Sequence, residues 1–439
     1  MVADCSRLIQ FDTSNFGGGE ARGERAAAEW VAEQLTDCGY RPELFESEPG
    51  RASTVVRIPG RSSTAPALLV HGHLDVVPAA EADWSFDPFA GQVRDGAVWG
   101  RGALDMKDMD AMMLSVARGF AADGFVPPRD LVLAFVADEE DTGQYGAGFL
   151  VERHPELFEG VRAAVGESGG YATHLPDGSR LYPIAAAERG SAWLRLTAHG
   201  VAGHGSRRNP NNPVSHLARA LSRLADHEFP VRLSPAVAAL ISGLERQLGI
   251  RIDPADPASI GQLGEAARLV QSTVANSVNP TMLAAGYKAN VIPGQASAVV
   301  DGRIVPGATE EFLAEVDRLL GEHVSREFVS FSEPVGTEHD SAEFRTMSAA
   351  ISRHDPAALV LPFCMSGGTD AKAFAQLGIA CYGFAPGRTP AGLEHWNYVH
   401  GVDEHVLIDS LRFGVRVLDS YLRTDPASGI IDSDNRENQ

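Results

Sequence analysis

The stretch from Leu68 to Lys107 constrains this chain most. It opens on an uninterrupted apolar run, Ala67-Leu68-Leu69-Val70, the profile of a strand buried on both faces in a parallel sheet. The run ends at once in Gly72-His73-Leu74-Asp75. Open α/β sheets carry their chemistry at the carboxyl ends of such strands. His73 and Asp75 are two apart, so a continuing strand sends both side chains to one face, where the carboxylate can hold the imidazole. Further on, Asp105 closes the glycine-rich turn GRGALD, and a helix-like run from Met109 to Phe120 follows. A lone His-x-Asp also reads as a loop histidine satisfied by a nearby carboxylate. The rest of the chain has to separate the two readings.

The same arrangement recurs. Leu131 to Ala137 (LVLAFVA) runs into Asp138-Glu139-Glu140-Asp141, and Ala163-Ala164-Val165 into Gly166-Glu167. Between the strands, Glu20 to Cys38 and Asp108 to Ala122 carry apolar residues at helical spacing, the first stopped by Gly39. This alternation predicts an α/β fold, a mixed sheet flanked by helices with one chemically active edge. The character changes at Glu188-Arg189-Gly190. Ala192 to Leu196 alternates, Gly203-His204-Gly205-Ser206 follows, then a helix from Val214 to Leu224 and strand candidates at Thr281 to Ala285 and Ala296 to Val300. With 439 residues the chain is long for a single core. We therefore expect a discontinuous catalytic domain, 1–187 and 308–439, interrupted by an α+β lid or dimerisation domain with an antiparallel sheet at 188–307. Ser234 to Gln271 is helix-rich and carries no chemical signal.

Composition narrows the function classes. A formal net charge of -21 offers no basic patch to nucleic acid or an anionic membrane. Cys5, Cys38, Cys364 and Cys381 are scattered without CxxC spacing, which suits neither a disulfide framework nor a thiolate zinc site. The first residues show no basic segment followed by an apolar one, so a cytoplasmic location is expected. Gly96, Gly100 and Gly102 do not form a GxGxxG helix opening, which argues against a dinucleotide site. The polar tail from Asp425 to Gln439 is expected to fray.

Collected, the strand ends supply His73, Asp75, Asp105, Glu139, Glu140, Glu167 and the late His400: nitrogen and oxygen donors without a thiolate. Such a set suits Zn²⁺, Mn²⁺ or Co²⁺ in an open catalytic site. GHLDVVP, GRGALDMK, DEE, GE, GHGS, NVIP, SGGTDA and HGVDE occur in that order along nearly the whole chain. In this the chain resembles the co-catalytic zinc peptidase family of aminoacylase 1, carboxypeptidase G and succinyl-diaminopimelate desuccinylase. The resemblance implies two divalent metal ions, zinc first and cobalt or manganese as alternatives. Asp105 would bridge them, His73 and Glu167 would complete one site, and Glu140 and His400 the other. His395 is the rival to His400. Asp75 would orient His73, Glu139 would be the general base, and the Asp105–Met106 peptide would be cis. His204 would stabilise the oxyanion, reaching in from the second subunit of a homodimer. Asn290, Arg303 and the Gly367-Gly368-Thr369 backbone would bind the substrate carboxylate. The implied activity is hydrolysis of an amide bond next to a free C-terminal carboxylate, by a dipeptidase or carboxypeptidase. An N-acyl-amino-acid amidohydrolase is the alternative, and an inactive metal-binding protein the remote one. Where family members often have small residues after DMK, this chain has Asp108-Met109-Asp110. Those acids suit a helix N-terminus and could also tune the metals.

Overall fold

The computed structural model describes residues 1–393 and 395–426. Two helices, α1 (Val2–Ile9) and α2 (Arg25–Asp37), precede the hairpin β1 (Glu43–Glu48) and β2 (Arg51–Ile58). Next come β3 (Ala67–His73), α3 (Lys107–Asp123), β4 (Leu131–Val136), β5 (Val161–Gly166) and β6 (Arg180–Glu188). Every residue of β3 and β4 is buried, as expected of strands covered on both faces. β3 pairs in parallel with both β4 and β5, so three carboxyl ends meet on one edge. The hairpin extends the sheet antiparallel through β2 on β4. α2 begins at Arg25 rather than Glu20, because Glu20–Ala21 pairs with Asn15–Gly17. It stops before Gly39, whose φ of 86° is a left-handed conformation that glycine adopts without a Cβ clash.

The alternating segment becomes β7 (Gly190–His199), followed by α4 (Pro213–Ala225) and α5 (Pro235–Leu248). Then come β8 (Ser277–Ala285), β9 (Gln295–Ile304), α6 (Thr309–Leu320) and β10 (Val324–Ser332). The antiparallel sheet has the order β8-β9-β7-β10. Ala192, Leu194 and Leu196 face inward onto Leu217 and Leu224 of α4 and Phe312 and Val316 of α6. The sheet therefore runs past residue 307 to Ser332, and its core to Val324. The chain then returns to the large sheet through α7 (Ala342–His354), β11 (Ala358–Met365), β12 (Ala380–Gly383) and α8 (Ile408–Leu422). β12 lies parallel to β5, and β11 parallel to β6.

The helix-rich segment 234–271 does not pack on the antiparallel sheet. Ala236, Val237, Leu240 and Leu244 of α5, with Leu269 and Val270, join the main hydrophobic core. The contact with β11 is close: a Cβ on Gly243 would lie 2.5 Å from a Leu361 methyl carbon. Local chemistry fixes where α5 starts and stops. Ser234 Oγ accepts the Val237 N–H at 3.3 Å, Pro235 opens the first turn, and Gly249 closes the helix at φ 65°. Among the described residues no helix is long and apolar enough to cross a membrane.

Candidate metal centre

The parallel strand ends deliver their polar groups to one point. His73 leaves the end of β3, Glu139 and Glu140 follow β4, and Glu167 follows β5. Asp105 arrives on the turn ahead of α3, where the Asp105–Met106 peptide is cis. His73 Nε2 lies 3.0 Å from Asp105 Oδ1 and 3.5 Å from Glu167 Oε2. His400 Nε2 lies 3.0 Å from Asp105 Oδ2 and 3.2 Å from Glu140 Oε2. Two groups of three donors thus share Asp105: His73, Asp105 and Glu167, and Asp105, Glu140 and His400, with the ligating atoms of each group within 4.8 Å of one another. Glu139 belongs to neither group but places Oε2 4.0 Å from His73 Nε2. The His395 side chain lies outside the described residues, as does the tail beyond Pro426.

The electrostatics are those of a site built around positive charge. Burial disfavours a charged His73, yet hydrogen bonds to Asp105 and Glu167 drive its pKa well above the usual value. Hydrogen bonds to Asp105 and Glu140 push His400 up to about 10. Burial, then its acidic neighbours, raises Glu167 to about 7 and Glu139 well above the carboxylate range. Asp105 goes the other way: burial opposes its charge, but hydrogen bonds from His400 and His73 hold it ionised. Crowded carboxylates that must otherwise hold protons fit divalent cations well, and the nitrogen–oxygen donor set suits zinc, cobalt or manganese.

Sequence reasoning missed much of the scaffold behind these groups. The expected carboxylate grip of Asp75 on His73 is not the main contact. His73 Nδ1 meets the Asp75 main-chain carbonyl at 3.0 Å, while the nearest carboxylate oxygen is at 3.6 Å. The Asp75 carboxylate instead accepts the N–H groups of Glu139 and Glu140, each at 3.1 Å, and an Asn15 Nδ2 proton at 2.9 Å. It fixes the turn that presents both glutamates. Asn15 also reaches Asp138 at 3.2 Å, and Asp138 accepts from Arg51 at 2.7 Å, with Glu24 on the other side of Arg51. On the opposite flank, buried Glu404 accepts the N–H groups of Gly102, Leu104 and Asp105 and pairs with Arg101 at 2.6 Å. These partners come from positions 15, 24, 51 and 404, with no local pattern joining them. Asp110 also departs from expectation. It is fully buried, neither oxygen has a hydrogen-bond partner, and burial pushes its carboxyl up to about 8. Burial thus works against a charged Asp110 at the helix terminus.

A cleft of about 1510 Å³ adjoins the centre, and its lining includes Glu139, Asp141, Trp193, Arg303, Gly368, Thr369, Asp370 and Lys372. Arg303 already grips Asp301 through two hydrogen bonds of 2.8 and 3.0 Å. Lys372, which sequence reading passed over, brings a second cation to the same wall. Thr369 does not offer its backbone to a ligand: its N–H and Oγ1 both donate to Glu188, at 3.1 and 2.6 Å. Gly367, His204 and Asn290 are not among the lining residues. His204 and Asn290 are exposed and adjacent to one another, because Gly203–His204 pairs with Val291–Ile292 and Gly205 N–H donates to the Asn290 carbonyl at 2.8 Å. His204 Nδ1 lies 2.9 Å from Ser206 Oγ.

Residues 69–424 match peptidase family M20/M25/M40. The chain belongs to that family. It is 30% identical over 410 residues to aminoacylase-1 of Sus scrofa, covering 90% of this chain and 92% of that one. The M20 family metallo-carboxypeptidase from Sulfolobus solfataricus shares the fold at a TM-score of 0.70 and 18% identity, covering 96% of this chain and 98% of that chain. So does a di-peptidase from Saccharomyces cerevisiae, at a TM-score of 0.65 and 18% identity, covering 96% and 94%. This M20 protein is thus a metal-dependent hydrolase with a mixed α/β fold.

Proposed function

We propose that this M20 hydrolase cleaves the amide bond of N-acyl amino acids with a free carboxylate, using two divalent ions, zinc in the first place. The observation that carries the reading is the pair of three-donor groups sharing Asp105, with Glu139 beside them on the cleft wall. His73, Asp105 and Glu167 would hold one ion, and Asp105, Glu140 and His400 the other. Bound there, the ions would acidify a water and polarise the scissile carbonyl. Glu139 takes the proton of the attacking water and returns it to the leaving nitrogen. Burial, then the charge of Glu167, raises its carboxyl above the ordinary carboxylate range. Arg303 and Lys372 hold the carboxylate of the substrate.

N-acyl amino acids take precedence over the dipeptides preferred from sequence. The similarity to aminoacylase-1 runs through 90% of the chain at 30% identity, whereas the likeness to carboxypeptidase and dipeptidase structures is one of fold. A dipeptidase remains the second reading, because Asp141 and Asp370 line the cleft with Glu139 and suit an N-terminal ammonium group. The reading includes a homodimer. His204 and Asn290 lie outside the cleft lining, and a second copy would bring its own pair to this cleft, where His204 would meet the developing oxyanion.

The test is product release by the zinc- or cobalt-loaded protein from N-acetyl, N-succinyl and longer N-acyl amino acids, beside dipeptides. Chelator-sensitive release from the acyl series supports the reading. Release from dipeptides alone moves the protein to the second one, and no release from either set sinks both.

A further inference from the structure

The antiparallel sheet has one covered face and one open face. Ala192, Leu194 and Leu196 of β7 lie under α4 and α6, so Trp193 and Arg195 point the other way. On that open face Trp193, Val299, Met282, Ala284 and Val329 line a groove of about 600 Å³. Trp193 is 42% exposed, Val329 47% and Met282 67%. Apolar side chains exposed together on neighbouring strands are available to an apolar ligand. The groove adjoins the catalytic cleft at Trp193, which lines both. The Asp301–Arg303 ion pair stands at the junction, with Arg303 on the cleft and Asp301 on the groove.

Resting on the N-acyl-amino-acid reading, we propose that this groove is a subsite for the acyl chain of the substrate and selects chains of eight or more carbons. Its length argues for an acyl chain. The lining crosses β10, β7, β9 and β8, three strand spacings, or about 14 Å. That is longer than the reach of a common amino-acid side chain and within the reach of a medium or long acyl chain. The floor is mostly hydrocarbon, with Arg195, Thr281, Ser297 and Asp301 among the apolar side chains: Val299 pairs with Met282 across β9 and β8, and Val329 is the extra residue of a bulge where Trp193 opposes Ser330 and Leu194 opposes Phe328. An alkyl chain needs no polar partner, and the two charged groups of the lining already have theirs, Arg195 in Glu327 and Asp301 in Arg303.

The measurement is kcat/KM for the metal-loaded enzyme on one amino acid acylated with two, four, eight, ten and twelve carbons, below the micelle concentrations. Expected is a rise of about two- to fourfold per methylene over the longer members, the range for partial to full burial of a CH₂. Val299→Asp, with its charge on the groove floor, should reduce the twelve-carbon to two-carbon ratio at least tenfold. Inhibition by dodecanoate but not acetate, weakened in Val299→Asp, supports the same subsite without turnover. Cleavage of the acetyl substrate with a flat or falling chain-length profile overturns the groove proposal and leaves the proposed function standing. Absence of cleavage on every acyl substrate overturns both. A Val299→Asp chain that turns from dimer to monomer on a sizing column with light scattering, its chain-length ratio unchanged, assigns the face to a second copy and also overturns the proposal.

Discussion

Glu139 and Glu140 are adjacent in sequence, yet the structure gives them different neighbours. Glu140 Oε2 faces His400 at 3.2 Å, within a three-donor group, while Glu139 stands free of both groups on the cleft wall. Glu139→Gln should therefore lower kcat by about 10²- to 10⁴-fold, the usual worth of a general base. Elemental analysis should still find the wild-type metal content. A variant with near-normal kcat would remove Glu139 from the proton path. Arg303→Ala is expected to raise KM for free-carboxylate substrates about tenfold, the scale of one hydrogen bond to a charged group. Substrates with that carboxylate amidated should be unaffected; an equal rise on both would leave Arg303 with a structural role only.

The elements around the centre are fastened by buried polar groups whose loss should show as stability. Glu404 ties the turn carrying Asp105 to the segment after His400 through three main-chain N–H groups and Arg101. Glu404→Ala leaves buried Arg101 uncompensated, and urea unfolding should record a loss of about 3–5 kcal/mol. The end of α7 is joined to β6 in a similar way. Asp355 accepts from Arg180 at 2.6 Å twice and from Tyr182 at 2.8 Å. The Arg180 bonds hold the Asp355 carboxyl below its ordinary value. With the folded pKa depressed, the stabilisation is present above the unfolded pKa of about 3.9 and is lost as pH falls through the folded one. A third of Arg180 is exposed, so screening trims the effect. Asp355→Asn should cost about 1–2 kcal/mol at pH 7. Metal-free wild type and variant should converge in urea midpoint as the pH drops below that range; a constant gap would mean the pair does not carry the effect.

Across the whole molecule, the three strands of the large sheet and the turn of Asp105 reach the centre only when folded, so metal binding should stabilise the native chain as a unit. An ion at a hundred times its dissociation constant adds about 2.7 kcal/mol. Chelation should lower Tm by several degrees and abolish turnover together, and zinc should restore both. Loss of turnover at an unchanged Tm would mean that the ions contribute to chemistry without holding the strands. With the proposed subsite, the two substrate classes would also separate at this scale, because a dipeptide has no chain to lay on the open face of the antiparallel sheet.

The sequence by itself brought out the donor side chains that the fold gathers. Buried parallel strands read as apolar runs with short polar ends, which marks His73, Glu139, Glu140 and Glu167, while Asp105 and His400, on a turn and in a late loop, were assigned their parts by the family resemblance. The α/β class followed from the same local periodicity. What supports the centre was decided by tertiary structure. Asn15 and Arg51 are polar residues in unremarkable local surroundings, Glu404 closes the HGVDE motif without any sign of its partners, and only folding brings them to Asp75, Asp138 and the Asp105 turn. Asp75 looked like the holder of an imidazole because strand geometry points side chains, but its carboxylate found main-chain N–H groups closer. β10 escaped notice because its residues are mostly exposed and ladder hydrogen bonds, which have no side-chain signature, define it. Likewise, the amphipathic helix α5 carries no mark of which sheet it will cover; the close fit of Gly243 on Leu361 settles that in three dimensions.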